Sequence, residues 1–254
     1  MKFLKNKKQK QIFAVILGVA IVSSSIVVII PIYKQRSEVE VTYLGHSGFL
    51  IQYKGKSIYF DPYLFPQDFQ LPTAEGIFIT HPHYDHLSSS AIKKVEGKNT
   101  QYILPESVFI RKIGSVVSRL PPNSNGTVAG FNFTTIPMYN LGNSADNIHL
   151  RSNDWCSYLI TINGFNILHV GDSDDVPELY DLSVQIDLAF LPIATYSQNM
   201  GMSGAVNLIK AMKPSIMVPM HFWGYDPLEF QETYQDECPE TEIHAMTQGD
   251  SFFL

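Results

Sequence analysis

Three histidines and one aspartate fall within six consecutive residues, directly after a short apolar run. The apolar run covers residues 76–80, and the polar segment is His81-Pro82-His83-Tyr84-Asp85-His86. An apolar run of this length is typical of a buried strand, and residues 88–95 predict a helix with Ser88 as its cap. The four polar side chains therefore lie at a strand-to-helix junction, where they can point in different directions. Because imidazole nitrogens and carboxylate oxygens are ligands for zinc, iron and manganese, the segment predicts a metal site.

From residue 39 onward, short β-prone runs alternate with turns. The runs at 39–44, 48–53 and 57–60 predict an antiparallel meander with a hairpin turn at Tyr53-Lys54-Gly55-Lys56. The later predicted elements are strands near residues 101–104, 127–137, 158–162, 165–170 and 188–191, a helix at 203–212 that Pro214 stops, and a final buried strand at 215–219 that leads to His221. Because no internal repeat is visible, this order predicts an α+β domain with two sheets packed face to face and helices outside.

An uncharged apolar segment, residues 12–33, precedes this domain. A run of about 20 apolar residues can cross a bilayer as a helix. The basic residues before it are Lys2, Lys5, Lys7, Lys8 and Lys10. This flank predicts a cytoplasmic N-terminus and an extracytoplasmic domain, held at the cell membrane by one transmembrane helix. A cleaved signal peptide, which would release a secreted protein, is the alternative. The predicted division is a basic tail, anchor and linker at 1–36 and a catalytic domain at 37–254.

Charge is divided unequally along the chain. Residues 1–36 contain seven of the 18 basic residues, and residues 37–254 contain the other 11 together with all 24 acidic residues, a formal net charge of −13. An acidic domain repels a phosphate backbone, so we predict a small-molecule or lipid substrate and no nucleic-acid partner.

The two cysteines, Cys156 and Cys238, form neither a zinc-finger nor a redox motif, and they are compatible with a disulfide or with two buried thiols.

The spacing His-x-His-x-Asp-His at residues 81–86 resembles the signature of the metallo-β-lactamase superfamily. The resemblance spans nearly the whole chain from residue 39, and its further motifs are Thr42-Tyr43-Leu44-Gly45-His46-Ser47-Gly48, Phe60-Asp61-Pro62-Tyr63, Met138-Tyr139-Asn140, His169-Val170-Gly171-Asp172-Ser173-Asp174 and Val218-Pro219-Met220-His221. The motifs that contain His46 and Asp172 are similar to those of the branch that includes the ascorbate-phosphate lactonases and the N-acyl-phosphatidylethanolamine phospholipases D. The resemblance implies a four-layer αββα sandwich, preceded here by the transmembrane helix.

The resemblance also implies a binding site for two divalent cations. Carried over by position, the ligands are His81 and His83 for the first cation, Asp85, His86 and His221 for the second, and Asp172 as a bridge between them. The third ligand of the first cation is His149 or His169. We assign His149, because side chains alternate along a strand and His169 would not share a face with Asp172 unless the strand ended between them.

Two further residues are expected close to the cations. His46 lies in a turn between early strands, where it would contact the substrate or support a ligand. Asp61 would hold a metal-binding imidazole by its other ring nitrogen, as carboxylates often do, and His169 is expected in a similar supporting position. His244 has no evident partner and is predicted to be structural.

The predicted activity is hydrolysis. Two cations about 3.5–4 Å apart can hold a bridging hydroxide that attacks an ester, and Asp85 or Asp172 would orient its proton. Zinc is the preferred metal, with manganese or iron as alternatives. Phosphodiesters, phospholipids and lactones are the candidate substrates, whereas β-lactams are disfavoured because the enzymes that cleave them use a cysteine at the second metal. The alternatives are an iron-dependent oxidoreductase on the same fold and an inactive metal-binding module.

Overall fold

Short strands dominate the structure, as the sequence predicts. The computed structural model describes residues 38–63, 65, 69–110, 116–142, 148–194 and 199–254. Within these ranges, fourteen strands pair into two seven-stranded sheets. The predicted membrane segment, residues 12–33, lies outside them. Among the residues described, no helix has both the length and the apolar character needed to cross a bilayer.

The first sheet combines the six earliest strands with the last strand of the chain. They are β1 (Glu40–Gly45), β2 (Gly48–Tyr53), β3 (Lys56–Phe60), β4 (Gly76–Phe78), β5 (Gln101–Pro105), β6 (Val116–Leu120) and β14 (Ser251–Phe253). The order is β14-β1-β2-β3-β4-β5-β6, antiparallel as far as β3 and parallel from β3 to β6. The predicted meander is confirmed. Its second turn has positive φ at Lys54 and Gly55, the combination of a tight hairpin turn.

The second sheet reverses this arrangement. Its strands are β7 (Asn125–Val128), β8 (Phe131–Pro137), β9 (Cys156–Ile162), β10 (Phe165–His169), β11 (Leu188–Pro192), β12 (Ile216–Met220) and β13 (Glu242–Ile243). Strands β7 to β10 are antiparallel and β10 to β13 are parallel. The single strand predicted at 127–137 is wrong, because Ala129 and Gly130 have positive φ and turn the chain into a hairpin. The strand at 215–219 is also not the last, since β13 and β14 follow it.

The two sheets pack face to face through large aromatic side chains. Phe49 of the first sheet stacks on Phe190 of the second at 3.7 Å between ring centroids. Helix α1 (Ser89–Val95) buries Ile92 and Val95 in a separate apolar cluster on the first sheet. On the second sheet, α3 (Gly201–Met212) packs against β11 and α4 (Pro227–Tyr234) against β12, while the short α2 (Pro177–Tyr180) contacts β8 and α3. The layers are therefore helix, sheet, sheet and helix, as expected from the resemblance.

The helix boundaries follow from local chemistry. Ser88 Oγ accepts a hydrogen bond from the Ala91 N–H, so the predicted cap of α1 is confirmed. Helix α3 begins two residues before the predicted position and ends at Met212, where Lys213 adopts the left-handed conformation ahead of Pro214.

Both cysteines, Cys156 and Cys238, are buried free thiols. Of the two alternatives that the sequence left open, the structure therefore favours two buried thiols over a disulfide.

The carboxyl ends of the parallel strands lie at one edge of the sandwich, where the two sheets are joined by hydrogen bonds. The Cys156 N–H donates to the Thr80 carbonyl at 3.2 Å, and the His221 N–H donates to the His46 carbonyl at 3.1 Å. Tyr158 donates its hydroxyl to the Ile79 carbonyl at 2.7 Å. Crevices at the carboxyl ends of parallel strands are the usual position of functional sites in such sheets.

Candidate metal centre

Asp172 lies at the centre of a histidine cluster, in the loop that follows β10. Its side chain is almost completely buried. From its carboxylate oxygens, the nearest imidazole nitrogens are His221 Nε2 at 3.1 Å, His86 Nε2 at 3.2 Å, His149 Nε2 at 3.7 Å and His81 Nε2 at 3.8 Å. A carboxylate with histidines around it in this way can give one oxygen to each of two cations.

The turn that leads into Asp172 requires glycine. Gly171 has φ +60°, and a Cβ at this position would lie 2.7 Å from Met138 Sδ and 2.9 Å from Thr80 Cβ. The turn is held by His169, whose Nδ1 accepts the Gly171 N–H and whose Nε2 donates to the Ser47 carbonyl at 2.8 Å. His169 therefore uses both ring nitrogens on the backbone and does not face the cluster, whereas His149 does.

Four imidazoles are held by one ring nitrogen and turn the other toward Asp172. The Nδ1 contacts are His81 with Thr80 Oγ1 at 3.0 Å, His86 with Asp61 Oδ2 at 2.8 Å, His149 with Asn140 Oδ1 at 2.7 Å and His221 with Asn199 Nδ2 at 3.4 Å. In each case Nε2 is the nitrogen directed at the carboxylate. Metal-binding imidazoles generally donate their other ring N–H to an oxygen atom, as His81, His86 and His149 can here. The partner of His221 is instead an amide NH₂ donor.

The side chains form three overlapping groups in which the possible ligand atoms lie within 4.8 Å of one another. The groups are His81, His83 and His149; His46, Asp85, His86 and His221; and His81, His86 and Asp172. The first group contains the residues predicted for one cation. The second group contains the residues predicted for the other cation, together with His46. The third group contains Asp172 and one histidine from each of the first two groups. The structure thus brings together all seven residues that the sequence nominated as ligands.

Asp61 is a buried hydrogen-bond acceptor beside the second group. It follows β3, its side chain is fully buried, and it accepts hydrogen bonds from the Thr80 N–H, the Thr80 hydroxyl and His86 Nδ1. Thr80 ends the segment that delivers His81, so Asp61 links the orientation of two neighbouring imidazoles. Asp61 therefore lies where the sequence analysis expects it, and its supporting role stays a prediction.

His46 lies closer to the centre than a purely supporting residue would need to. Its Nε2 is 3.1 Å from Asp85 Oδ2, and its ring centroid is 4.1 Å from that of His221. Burial would raise the pKa of Asp85, but hydrogen bonds from His221 and His46 outweigh burial and hold that pKa far below its usual value. His244, by contrast, lies outside the cluster and contacts Glu242 at 3.0 Å.

Three non-glycine residues of the centre have left-handed backbone conformations. The φ angles are +59° at His46, +39° at Asp61 and +47° at His221. Each directly follows the last residue of a strand, and this conformation costs of order 1–3 kcal/mol in non-glycine residues. Such strain is concentrated at functional sites, because there the surrounding structure holds the residue in place.

The electrostatics of the centre divide the imidazoles into two kinds. Burial lowers the pKa of His81 well below its usual value, so this imidazole is neutral. Burial has the same effect on His86 and His221, but Asp172 and Asp61 outweigh it at His86, and Asp172 outweighs it at His221, so both pKa values are raised. Burial would raise the pKa of Asp172, yet His221 and His86 hold it well below the usual range. The carboxylate is therefore ionised at neutral pH.

Two buried atoms at the centre face each other and have no further hydrogen-bond partner among the described residues. They are His86 Nε2 and Asp172 Oδ1, which lie only 3.2 Å apart. Within the ranges that the structure describes, each of these atoms has only the other to interact with, and a cation between them would be bound by both. Imidazole nitrogens and carboxylate oxygens are also suitable ligands for zinc, manganese and iron. The residues present therefore fit a metal site.

Sequence reasoning did not assign roles to several residues that shape the centre. Asn140 accepts from His149 Nδ1 and donates to the Asp172 carbonyl at 3.0 Å. The Trp155 ring lies 5.1–5.6 Å from three histidine rings of the first group. Asn140 belongs to a motif that carried the resemblance, and this was the available signal for it. Trp155 gave no such signal.

Two facing sheets with histidines and aspartates gathered at the carboxyl ends of the parallel strands define a metal-dependent hydrolase of the metallo-β-lactamase fold. Residues 40–221 match the family described as beta-lactamase superfamily domain, and the chain belongs to this family. It is 30% identical to a UPF0173 metal-dependent hydrolase of Thermococcus kodakarensis, over 85% of this chain and 100% of the relative. A protein of the same description from Pelotomaculum thermopropionicum is 29% identical, with the same coverage.

Solved structures agree with this classification. A crystal structure of a Parabacteroides distasonis protein, proposed to be a metal-dependent hydrolase, is 28% identical in sequence and has a TM-score of 0.69. The match covers 82% of this chain and 93% of that protein. Fold, family and candidate metal centre therefore point to the same class of protein.

Proposed function

We propose that the chain hydrolyses esters with two divalent cations, zinc by preference, bound on either side of Asp172. The observation that carries the proposal is the close approach of two buried ligand atoms, Asp172 Oδ1 and His86 Nε2, in the middle of a histidine cluster. The proposed ligands are His81, His83 and His149 for the first cation, Asp85, His86 and His221 for the second, and Asp172 for both.

The residues of the chain would prepare the site for hydrolysis. Divalent cations in these positions would polarise the ester oxygen and lower the pKa of a water molecule from about 15.7 toward 7. Asp172 and Asp85, both ionised because their pKa values are lowered, can accept a hydrogen bond from an entering water molecule and so orient its proton. His46 orients Asp85 through their hydrogen bond. His83 is the half-exposed member of its group, so the substrate would approach from its side.

Metal analysis tests the proposed ligands. Elemental analysis of the purified chain should find about two divalent cations, and the His221→Ala variant should retain about one. His244→Ala, a histidine outside the cluster, is the matched control and should retain two. A full complement in His221→Ala would remove this residue from the site. Iron alone, together with oxygen consumption in place of hydrolysis, would favour the oxidoreductase alternative.

Activity measurements test the reaction. The metal-loaded chain should hydrolyse members of a panel of carboxylic esters, lactones and phosphodiesters, and Asp172→Asn should abolish this hydrolysis while the fold is retained. Loss of about 100-fold or more in kcat is expected, because the variant removes both the bridging charge and a group that orients the proton of the water molecule. Metal-loaded protein that is inert on the whole panel would contradict the proposal.

The location of the protein is a separate part of the proposal. We propose that residues 12–33 anchor the domain at the extracytoplasmic face of the cell membrane, because the apolar segment is long enough to span a bilayer and follows a lysine-rich flank. The complete chain should sediment with membranes, and a chain that starts at residue 37 should not. Recovery of the complete chain in the soluble fraction would contradict the anchor.

A further inference from the structure

Two large aromatic side chains are exposed beside the candidate metal centre. Tyr84, between His83 and Asp85, is 69% exposed, and Trp223, two residues after His221, is 48% exposed. Isolated exposed apolar residues are common, but exposed aromatic rings carried by the same loops as proposed ligands are expected where a ligand binds. Their position next to the ligands requires an explanation that the proposed chemistry does not give.

The exposed rings are part of a continuous row beside the second group of ligands. Trp223 lies 5.1 Å from the His46 ring, His46 lies 5.7 Å from Tyr63, and Tyr63 lies 5.9 Å from Tyr84, measured between ring centroids. Each neighbouring pair is arranged edge to face, at interplanar angles of 65° to 78°, which is a favourable geometry for aromatic pairs. Tyr63, Tyr84 and Trp223 therefore form an aromatic wall, with His46 at the point where it meets the proposed ligands.

Cationic side chains are sparse in the sequence around the wall, although Lys94 Nζ lies 5.7 Å from the centroid of the Phe65 ring, two residues after Tyr63. The segments that carry the site residues contain neither lysine nor arginine, and they are residues 61–71, 81–92, 139–150, 171–181, 193–209 and 221–228. Arg151 follows the third of these segments, but its guanidinium pairs with Glu178 at 2.5 Å and contacts the Tyr139 hydroxyl. Sites that recognise phosphate or carboxylate groups usually supply arginine or lysine for this purpose.

We infer that the substrate is a neutral carboxylic ester or lactone with an apolar acyl chain, which lies against the aromatic wall while its carbonyl group faces the metal centre. The inference rests on the proposed function and narrows its substrate class. An apolar chain would gain by covering the exposed rings, whereas an anionic phosphodiester would find no cationic side chain in these segments beyond the proposed cations themselves. Tyr63, Tyr84 and Trp223 are then the residues that determine specificity.

The inference is tested with chromogenic esters of increasing chain length. The probes are p-nitrophenyl acetate, butyrate, hexanoate and octanoate, with bis(p-nitrophenyl) phosphate as the anionic comparison. For the metal-loaded chain, kcat/KM should rise about twofold per added methylene, roughly half of the effect of full burial, because the wall covers one side of the chain only. The phosphodiester should be at least about tenfold poorer than the hexanoate.

Variants of the wall separate binding from folding. In Trp223→Ala the decrease in kcat/KM should grow with chain length, reach about tenfold for the octanoate and arise mainly from KM, and Trp223→Phe should restore most of it. Val184→Ala is the matched control, because Val184 is similarly exposed, at 43%, but lies away from the site. Its neighbour Gln185 contacts Asn166, near the start of β10, whereas the site lies beyond the end of that strand. The control should show the chain-length dependence of the parent.

The outcomes distinguish the inference from the proposed function. Hydrolysis that Asp172→Asn abolishes, but that is independent of chain length or faster with the phosphodiester, overturns the inference and leaves the proposed function in place. An equal loss for every ester in Trp223→Ala also overturns it, since that result indicates a structural role. Absence of metal-dependent hydrolysis on all five probes and on the lactones of the panel overturns both.

Discussion

At the scale of single residues, the buried carboxylate of Asp61 controls the second group of ligands without belonging to it. It accepts three hydrogen bonds, two from Thr80 and one from His86 Nδ1. A carboxylate on the remote nitrogen fixes the imidazole orientation and increases its basicity, and loss of such a partner typically weakens metal binding 10–100-fold. Asp61 should therefore influence metal affinity although it contacts no metal.

Asp61→Asn is expected to weaken the binding of one of the two cations about 10–100-fold and to leave the other nearly unchanged. Asparagine keeps the shape and tolerates the positive φ of this position, but it removes the charge and replaces one of the two acceptor oxygens by an NH₂ donor. Competition with a chromophoric chelator measures both affinities. Asp226→Asn is the control, since Asp226 is an exposed cap of α4 where asparagine serves equally well. Unchanged affinities in Asp61→Asn would show that the charge does not act on the metal.

The raised pKa values of His86 and His221 predict a pH dependence of metal binding. Burial lowers both values, but the carboxylates around them, Asp172 foremost, have the larger effect, so in the absence of metal these imidazoles hold their protons to higher pH than an ordinary histidine. A cation must displace those protons, because only a neutral imidazole binds a metal. Affinity should therefore fall as the pH decreases.

Titration with zinc at pH 7.5, 6.5 and 5.5 measures this effect. We expect the dissociation constant to rise by at least about tenfold over the range, and proton release on binding at pH 6.5. His221→Ala should release fewer protons than the parent, whereas His244→Ala should release the same number. An affinity that does not change with pH would contradict the protonation of His86 and His221.

Much of the centre could be predicted at this scale, and the reason is local chemistry. Three histidines and an aspartate in one hexapeptide are a metal site in almost any fold, so His81, His83, Asp85 and His86 needed no tertiary information. Asp172 and His221 required the resemblance, because a single acidic or histidine residue after a strand is common. Asn140 and Trp155 contact histidines from distant parts of the chain. These contacts depend on the tertiary fold, so they could not be predicted from a local sequence pattern.

At the scale of elements, the turn between β10 and Asp172 has little conformational freedom. Gly171 combines a positive φ with a close approach to Met138 and Thr80. Gly164, in the β9–β10 turn, has φ +85°, and a Cβ added there would meet nothing within 4 Å. The two glycines share a backbone requirement and differ in the space around them. They therefore separate conformational strain from steric conflict.

Gly171→Ala should destabilise the protein more than Gly164→Ala does. The backbone strain common to both costs about 1–2 kcal/mol, and overpacking adds about 1–3 kcal/mol at Gly171 alone. Urea denaturation of both variants in the presence of chelator measures the difference without a contribution from metal. Gly171→Ala should also bind less metal, because Asp172 is displaced. Equal destabilisation of the two variants would show that the close contacts around Gly171 relax at little cost.

The elements that the sequence predicted well are the buried ones. Strands of the sheet interiors carry apolar runs, and the first three strands and α1 were identified by them. The missed elements have weak patterns: β6 is largely exposed, β13 has two residues, and α2 and α4 are short helices that begin with proline. The hairpin of β7 and β8 was merged into one strand because Ala129 and Gly130 form a turn of only two residues between β-prone segments.

At the scale of the whole molecule, the proposed cations would join the two sheets. His81, His83, Asp85 and His86 follow β4 of the first sheet, whereas Asp172 and His221 follow β10 and β12 of the second. His149 precedes β9 of the second sheet. Each proposed cation site therefore takes ligands from both halves of the sandwich, and metal binding should stabilise the packing of the sheets against each other.

Metal removal should therefore lower the stability of the whole domain and not only of the loops. A cation at 100 times its dissociation constant contributes about 2.7 kcal/mol, which corresponds to roughly 5–10 °C in Tm for a domain of this size. Calorimetry with and without chelator should show a single transition that moves downward when metal is removed. His221→Ala should reduce this difference to about half, since one cation would be lost, and His244→Ala should leave it unchanged. A Tm that does not respond to chelator, or a separate low-temperature transition for the loops, would show that the cations do not connect the two sheets.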